Sequence, residues 1–164
     1  MIPRLWQLTK RFGPYALVLG LLTAVLLRPR SEPAVDESPE YAVTVVDPTS
    51  GEPAPDPSRL RVVRGGRFAL SLRPTTPSAT KVIAYAFAWT GEVAEPIDVR
   101  VEVAPNGTVR VSGSSRVLEA AGARELRVVV GAAAAFHRFD DAVARAASGR
   151  SDAVVRVLSV ALDR

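Results

Sequence analysis

The chain of 164 residues holds one histidine, His137, and no cysteine. General-base or metal chemistry therefore runs through His137 or through carboxylates alone. In His137-Arg-Phe-Asp140-Asp141 the two carboxylates stand three and four positions on, one helical turn from the imidazole. A metal asks for more ligands than these, and no second His or Cys exists to complete the set. We read the segment as a solvated helix face with His137 beside an acid, and expect no metal site. Serine hydrolysis needs a nucleophile, a base and an orienting group within reach of one another. His137 can act as a base, but the chain has no Gly-x-Ser-x-Gly elbow, and Ser112, Ser114 and Ser115 fall in a polar turn where small hydroxyls are ordinary. Glu92, Glu95 and Asp98 offer carboxylates for a glycosidase pair, yet they flank Pro96 in an expected loop. Arg64-Gly65-Gly66-Arg67 lacks the Lys-Ser/Thr and the following helix of a phosphate-binding loop. No catalytic constellation and no cofactor site is expected.

Arginine is the remaining residue type with chemistry to offer. Arg67 and Arg73 bracket one alternating stretch, and Arg100 and Arg110 lie on the two arms of a hairpin. A planar guanidinium on an apolar stem makes both polar and apolar contacts, so these four residues are the candidate partner-binding positions. The rival expectation is that they keep an exposed sheet soluble and guard its edges. The net charge of +4 raises the question of nucleic acid. The basic residues alternate with valines along strands instead of clustering, and only Lys10 and Lys81 are lysines, so no nucleic-acid partner is expected.

The elements that must position these residues read mainly as strands. Residues 40–46 alternate, with Tyr41, Val43 and Val45 on one side. Residues 47–58 hold four prolines and a glycine and read as a loop. Leu60 to Val63 and Arg67 to Leu72 form one unit divided by the Gly65-Gly66 pair, with Phe68, Leu70 and Leu72 facing one way. From Lys81 to Thr90, Ile83, Tyr85, Phe87 and Trp89 share a large face, and Val82, Ala84, Ala86 and Ala88 a small one. This pattern fits a central strand buried on both sides, with another layer close to the small face. Ile97 to Val103 and Val109 to Val111 alternate about Pro105-Asn106-Gly107, a hairpin closed by a type I turn with Gly107 at positive φ. A short segment around Val117 and Leu118 follows, then a strand from Leu126 to Val130. An amphipathic helix is expected from Phe136 to Ala147, carried by Phe136, Phe139, Val143 and Ala147 and ended by Gly149. A last strand runs from Ala153 to Leu162. The fold class is mainly β: a β-sandwich with one short late helix.

Ahead of this domain, residues 12–27 form an uncharged apolar run, with Lys10 and Arg11 before it and Arg28 and Arg30 after it. As a helix it is about 24 Å long, short for a hydrocarbon core of about 30 Å, but Arg11 and Arg28 can extend their heads to the interfaces. We expect a single transmembrane anchor. The alternative is a cleaved signal peptide, which lacks a small-x-small cleavage site here because Arg28-Pro29-Arg30 follows at once. The expected organisation is a short basic cytoplasmic tail (1–11), the anchor (12–27), a Pro-bearing acidic linker (28–39) and an extracytoplasmic domain (40–164). The tail's basic residues place the N-terminus in the cytoplasm by a small margin, with the chain held in the plasma membrane by lipid contact.

The stretches Leu72-Arg-Pro-Thr-Thr-Pro77, Val101-Glu-Val-Ala-Pro-Asn-Gly-Thr-Val-Arg-Val-Ser-Gly113 and Glu125-Leu-Arg-Val-Val-Val-Gly131 resemble the extracytoplasmic β-rich part of bacterial single-span anti-sigma-like membrane regulators. That resemblance implies a regulatory module outside the membrane. In the family a cytoplasmic zinc-binding helical domain grips the sigma factor. Residues 1–11 hold neither Cys nor His, so that grip is not expected here and no functional residue is carried over. The resulting expectation is a non-catalytic, membrane-tethered module that binds a protein partner or senses the state of the envelope. The alternatives are a membrane-anchored hydrolase using His137 and a structural envelope subunit assembled by its strand edges.

Overall fold

The alternating stretches fold into two sheets. The computed structural model describes residues 37–48, 50, 52–54, 56, 59–77 and 80–163. The anchor run 12–27 and the tail before it lie outside the described residues. Among the described residues no helix is long and apolar enough to cross a membrane.

The strands are β1 (Tyr41–Val46), β2 (Arg59–Arg61), β3 (Arg67–Pro74), β4 (Val82–Trp89), β5 (Ala94–Pro96), β6 (Arg100–Val103), β7 (Val109–Ser114), β8 (Glu125–Ala132) and β9 (Val155–Asp163). The helices are α1 (Ser115–Ala120) and α2 (Phe139–Ser148), with a 3-10 turn at Ala133–Ala135. A four-stranded antiparallel sheet has the order β1-β3-β7-β6, and a five-stranded sheet the order β2-β9-β8-β4-β5. Among the described residues only β2 and β9 run parallel.

One apolar core joins the two sheets. Phe68, Leu70 and Leu72 of β3 and Val109 and Val111 of β7 meet Val82, Ala86 and Ala88 of β4 and Leu126, Val128 and Val130 of β8. The small face of β4 thus turns to the other sheet, where slim side chains let a second layer approach. Its large face forms a second cluster in which Phe87, fully buried, packs with Val129, Ala142, Ala146 and Val155. Trp89 is only half-buried, so Phe87 is the aromatic at the centre of this layer.

Four expectations are corrected. Leu60–Val63 and Arg67–Leu72 do not share a sheet: β2 joins β9, β3 joins β1 and β7, and the Gly66 N–H to Val63 carbonyl turn carries the chain between them. Ile97 does not begin the hairpin strand. The chain leaves the five-stranded sheet at Pro96, whose missing N–H suits an edge. It crosses at Ile97–Val99 and enters the four-stranded sheet at Arg100. The late helix is not the only one, because α1 precedes it. Ser114 caps α1 by accepting from the Arg116 N–H, and bonds from Gly122 N–H to Glu119 and from Ala123 N–H to Leu118 close it, with Leu118 buried in the main core. Finally, α2 starts at Phe139 and buries Ala142 and Ala146, not Ala147; Phe139 stays 46% exposed while meeting Tyr85 edge-on and Phe87 at a tilt.

The hairpin turn is as expected. The Gly107 N–H donates to the Ala104 carbonyl at 2.9 Å, and the Thr108 N–H donates to Asn106 Oδ1 at 3.0 Å. Gly107 takes φ 84°, a value that residues with a Cβ rarely adopt.

Candidate functional site

The outer face of the four-stranded sheet follows from strand alternation. With Phe68, Leu70, Leu72, Val109 and Val111 turned inward, Arg67, Ala69, Ser71 and Arg73 of β3 and Arg110, Ser112 and Ser114 of β7 turn outward. Thr44 lies beside Ser71 from β1, and Ser71 beside Arg110 from β7. On the other side Arg110 is paired with Glu102, and Ser112 with Arg100. All four candidate arginines therefore stand on one face, all exposed. Its middle is small and polar: Ala69, Ser71 and Ser112.

Within this face the arginines differ. Arg100 is tied to Glu102, its Nε donating to Oε1 at 2.7 Å. Among the described residues Arg67, Arg73 and Arg110 have no carboxylate within ion-pair distance. Arg110 sits opposite Ser71, two residues before Arg73, so Arg73 and Arg110 are diagonal neighbours with Cα atoms about 7–8 Å apart. They wall a depression of about 460 Å³ that continues along the face into a second of about 280 Å³, the two sharing Ser71, Arg73, Glu102 and Arg110. Arg67 stands apart, at the far end of β3. There it lines a hollow of about 720 Å³ with Leu60, Phe68 and residues of the proline-rich loop, which meets the second depression at Val46, Asp47 and Pro48.

Ser71, Ser112 and Thr44 are what the sequence reading missed on this face. Among the described residues their hydroxyls make no hydrogen bond to the protein, although Ser71 is only 8% exposed. Alternation puts Thr44 and Ser71 on one face of their strands, whereas Ser112, expected in a polar turn, stands in β7; only the register shows that the three form the floor between the arginines.

The other candidate residues are not brought together. Asp141 Oδ2 accepts from the backbone N–H of His137 at 2.9 Å and of Arg138 at 3.0 Å, and Asp140 pairs with Arg138. Both carboxylates thus serve the start of α2. The Arg138 N–H first of all, with that of His137, holds the Asp141 carboxyl below the usual range. Ser115 is buried, donating to the Val63 carbonyl at 2.8 Å and bonded to Glu119 at 3.0 Å. Ser112 lies on the outer face of one sheet and His137 beside the helix on the other. Glu92, Glu95 and Asp98 are exposed around β5. Among the described residues no three His, Asp or Glu side chains converge as a metal set would.

A residue with no assigned role in the sequence reading, Arg127 on β8, is the best-anchored cation of the domain. Its side chain is 12% exposed. The guanidinium lies 3.7 Å from the Trp89 ring centroid, pairs with Glu125 at 3.1 Å and donates to the Ala146 carbonyl at 2.7 Å. A cation on the last carbonyls of a helix meets the negative end of its dipole, so Arg127 fastens α2 to the sheet. No protein-family description, curated protein or solved structure matches this chain.

Proposed function

We propose that the chain is a non-catalytic, membrane-tethered β domain that docks a protein partner outside the plasma membrane, through the outer face of its four-stranded sheet, and so reports the state of the envelope. The observation that carries this reading is the open face itself: four arginines against a single glutamate, with no helix lying over it among the described residues. An exposed sheet needs charge to stay soluble, but solubility does not call for guanidinium groups around a floor of unbonded hydroxyls. Arginine around small polar residues is suited to protein contact, because its fork makes directed hydrogen bonds.

The apolar run 12–27 supplies the tether in this reading and residues 28–35 the spacer, since Ser38, buried with its N–H on the Ala153 carbonyl, belongs to the domain. Full-length protein then stays with membranes through high salt and carbonate, since lipid and not charge holds it. Release by salt overturns the tether, and a soluble form beginning near residues 31–35 replaces it with a cleaved leader. Docking is tested by crosslinking in native membranes. Arg100→Glu with Arg110→Glu removes the crosslinked species and leaves the fold intact, while His137→Ala leaves capture unchanged. If the reversal changes nothing and His137→Ala abolishes a measurable turnover, a hydrolase replaces the docking module.

A further inference from the structure

We infer that the trough between Arg73 and Arg110 takes an acidic peptide segment, with side-chain carboxylates as the groups recognised. This rests on the docking reading above and names the partner's chemistry. Arg73 and Arg110 are diagonal neighbours on adjacent strands, exposed, with no carboxylate of the described chain within ion-pair distance. Glu102 lies across from Arg110 but is held by Arg100, and the second acid of the trough, Asp47, lines only its far end and accepts from the Ser50 N–H. A carboxylate arriving between the two guanidinium groups meets two forks, each able to bind it through paired N–H donors. The hydroxyls of Ser71 and Ser112 lie between and beside them, have no partner among the described residues and can donate to the same group.

The shape selects among anionic partners. The two depressions share Ser71, Arg73, Glu102 and Arg110, so they form one trough, running from the Asn106 turn toward Asp47 and Pro48. The floor is small side chains and the walls are long ones, a channel matched to an extended chain. A lipid surface calls for a different face: apolar side chains that enter the headgroup boundary beside the cations. The exposed large apolar residues of the described chain are Val63, Val93, Val103 and Phe139, and only Val103 lies on the trough, at its rim.

The test uses the full-length chain in zwitterionic detergent and fluorescein-labelled hexaglutamate, read by anisotropy. Hexaglutamate binds, the affinity falls with added salt, and Arg73→Gln with Arg110→Gln weakens it about tenfold or more. Arg150→Gln, an exposed arginine after α2, changes it less than about twofold, and hexalysine does not bind. No binding of hexaglutamate overturns the proposal, as does an equal loss in Arg150→Gln, which would mean general charge attraction. It is also overturned if vesicles containing phosphatidylglycerol bind through Arg73 and Arg110 while hexaglutamate does not, since the occupant is then a lipid surface. The two readings fail separately. Loss of crosslinking on reversal of Arg100 and Arg110 without hexaglutamate binding keeps the docking module and rejects the acidic segment. Hexaglutamate binding without any crosslinked partner keeps the trough and rejects the docking module.

Discussion

On the five-stranded sheet the outward side chains of β4 are Tyr85, Phe87 and Trp89, and α2 lies over them. On the four-stranded sheet the outward side chains of the central strands are Ala69, Ser71 and Ser112, with arginines around them and no helix over them among the described residues. Both sheets use the same inner core, so folding alone does not require the difference. A large apolar outer face must be covered, because leaving Phe87 in water forfeits its transfer free energy. A small polar outer face bordered by arginine stays solvated and remains available. Among the described residues the domain thus closes one side with its own helix and leaves the other uncovered.

Breaking the covered side gives the largest effect. Phe87→Ala removes a fully buried ring between β8 and α2, and is expected to cost about 3–5 kcal/mol in urea unfolding. Trp89→Ala is expected to cost less than Phe87→Ala, since Trp89 is half-buried; an equal cost would mean that the cover reaches further along β4 than α2 does. Next comes Arg127→Met, which keeps much of the stem but loses the charged bonds to the α2 carbonyls, the Glu125 pair and the stack on Trp89. We expect about 1–3 kcal/mol and faster amide exchange in the last turn of α2. Unchanged exchange there would show that Ala142 and Ala146 alone hold the helix.

Alternation made the strands and the inner core readable: Phe68-x-Leu70-x-Leu72 and the alanine face of β4 both turned to the core as their spacing implied. Alternation does not tell which sheet a strand joins, and this is where the reading of Leu60–Val63 and of Ile97 departs from the structure. The α2 stripe was misplaced for a related reason. Large residues at helical spacing drew attention to Phe139 and Ala147, whereas close packing on Phe87 and Val129 selected the small residues Ala142 and Ala146. For the candidate site the arginines were legible by type. The hydroxyl floor was not, because β-strand serines carry no signal until their register is known. Nor was Arg127, whose partners come from Trp89, 38 positions earlier in the chain, and from the end of α2.

A smaller effect separates the two ends of the cover by pH. The Asp141 carboxyl lies below its usual range in the folded chain, held by the N–H groups of Arg138 and His137. A lowered folded value means that its contribution is complete above the unfolded value of about 3.9 and is lost as pH falls through the folded value. Exchange at the α2 N-terminus, taken relative to that of an unstructured amide at the same pH, is therefore expected to quicken on acidification below about pH 4, and Asp141→Asn to show the quickened relative rate already at neutral pH. Its C-terminal turn is held by Arg127 and ended by Gly149 at φ 65°, but Arg145 there pairs with Asp152, whose carboxyl also lies below its usual range, so this end should change less only in an Asp152→Asn background. Equal quickening at both ends in that background would mean that α2 opens as one unit.

The smallest stability effect is expected on the open side, and its smallness is the point of measuring it. Arg73→Gln and Arg110→Gln remove two exposed cations that have no carboxylate partner in the described chain, and Gln keeps much of each stem over the sheet. Each should shift unfolding by no more than about 0.5 kcal/mol. Ser71→Ala removes a hydroxyl that bonds nothing among the described residues, from a site 8% exposed, and should be neutral or slightly stabilising. Residues placed there for folding would cost more. A loss above about 1.5 kcal/mol in any of the three would show that the open face helps to hold β3 to β7, and would make its arginines structural. Near-zero costs for all three, beside a large cost at Phe87, leave the face free of any folding role, so that whatever its arginines do must be sought in what they bind.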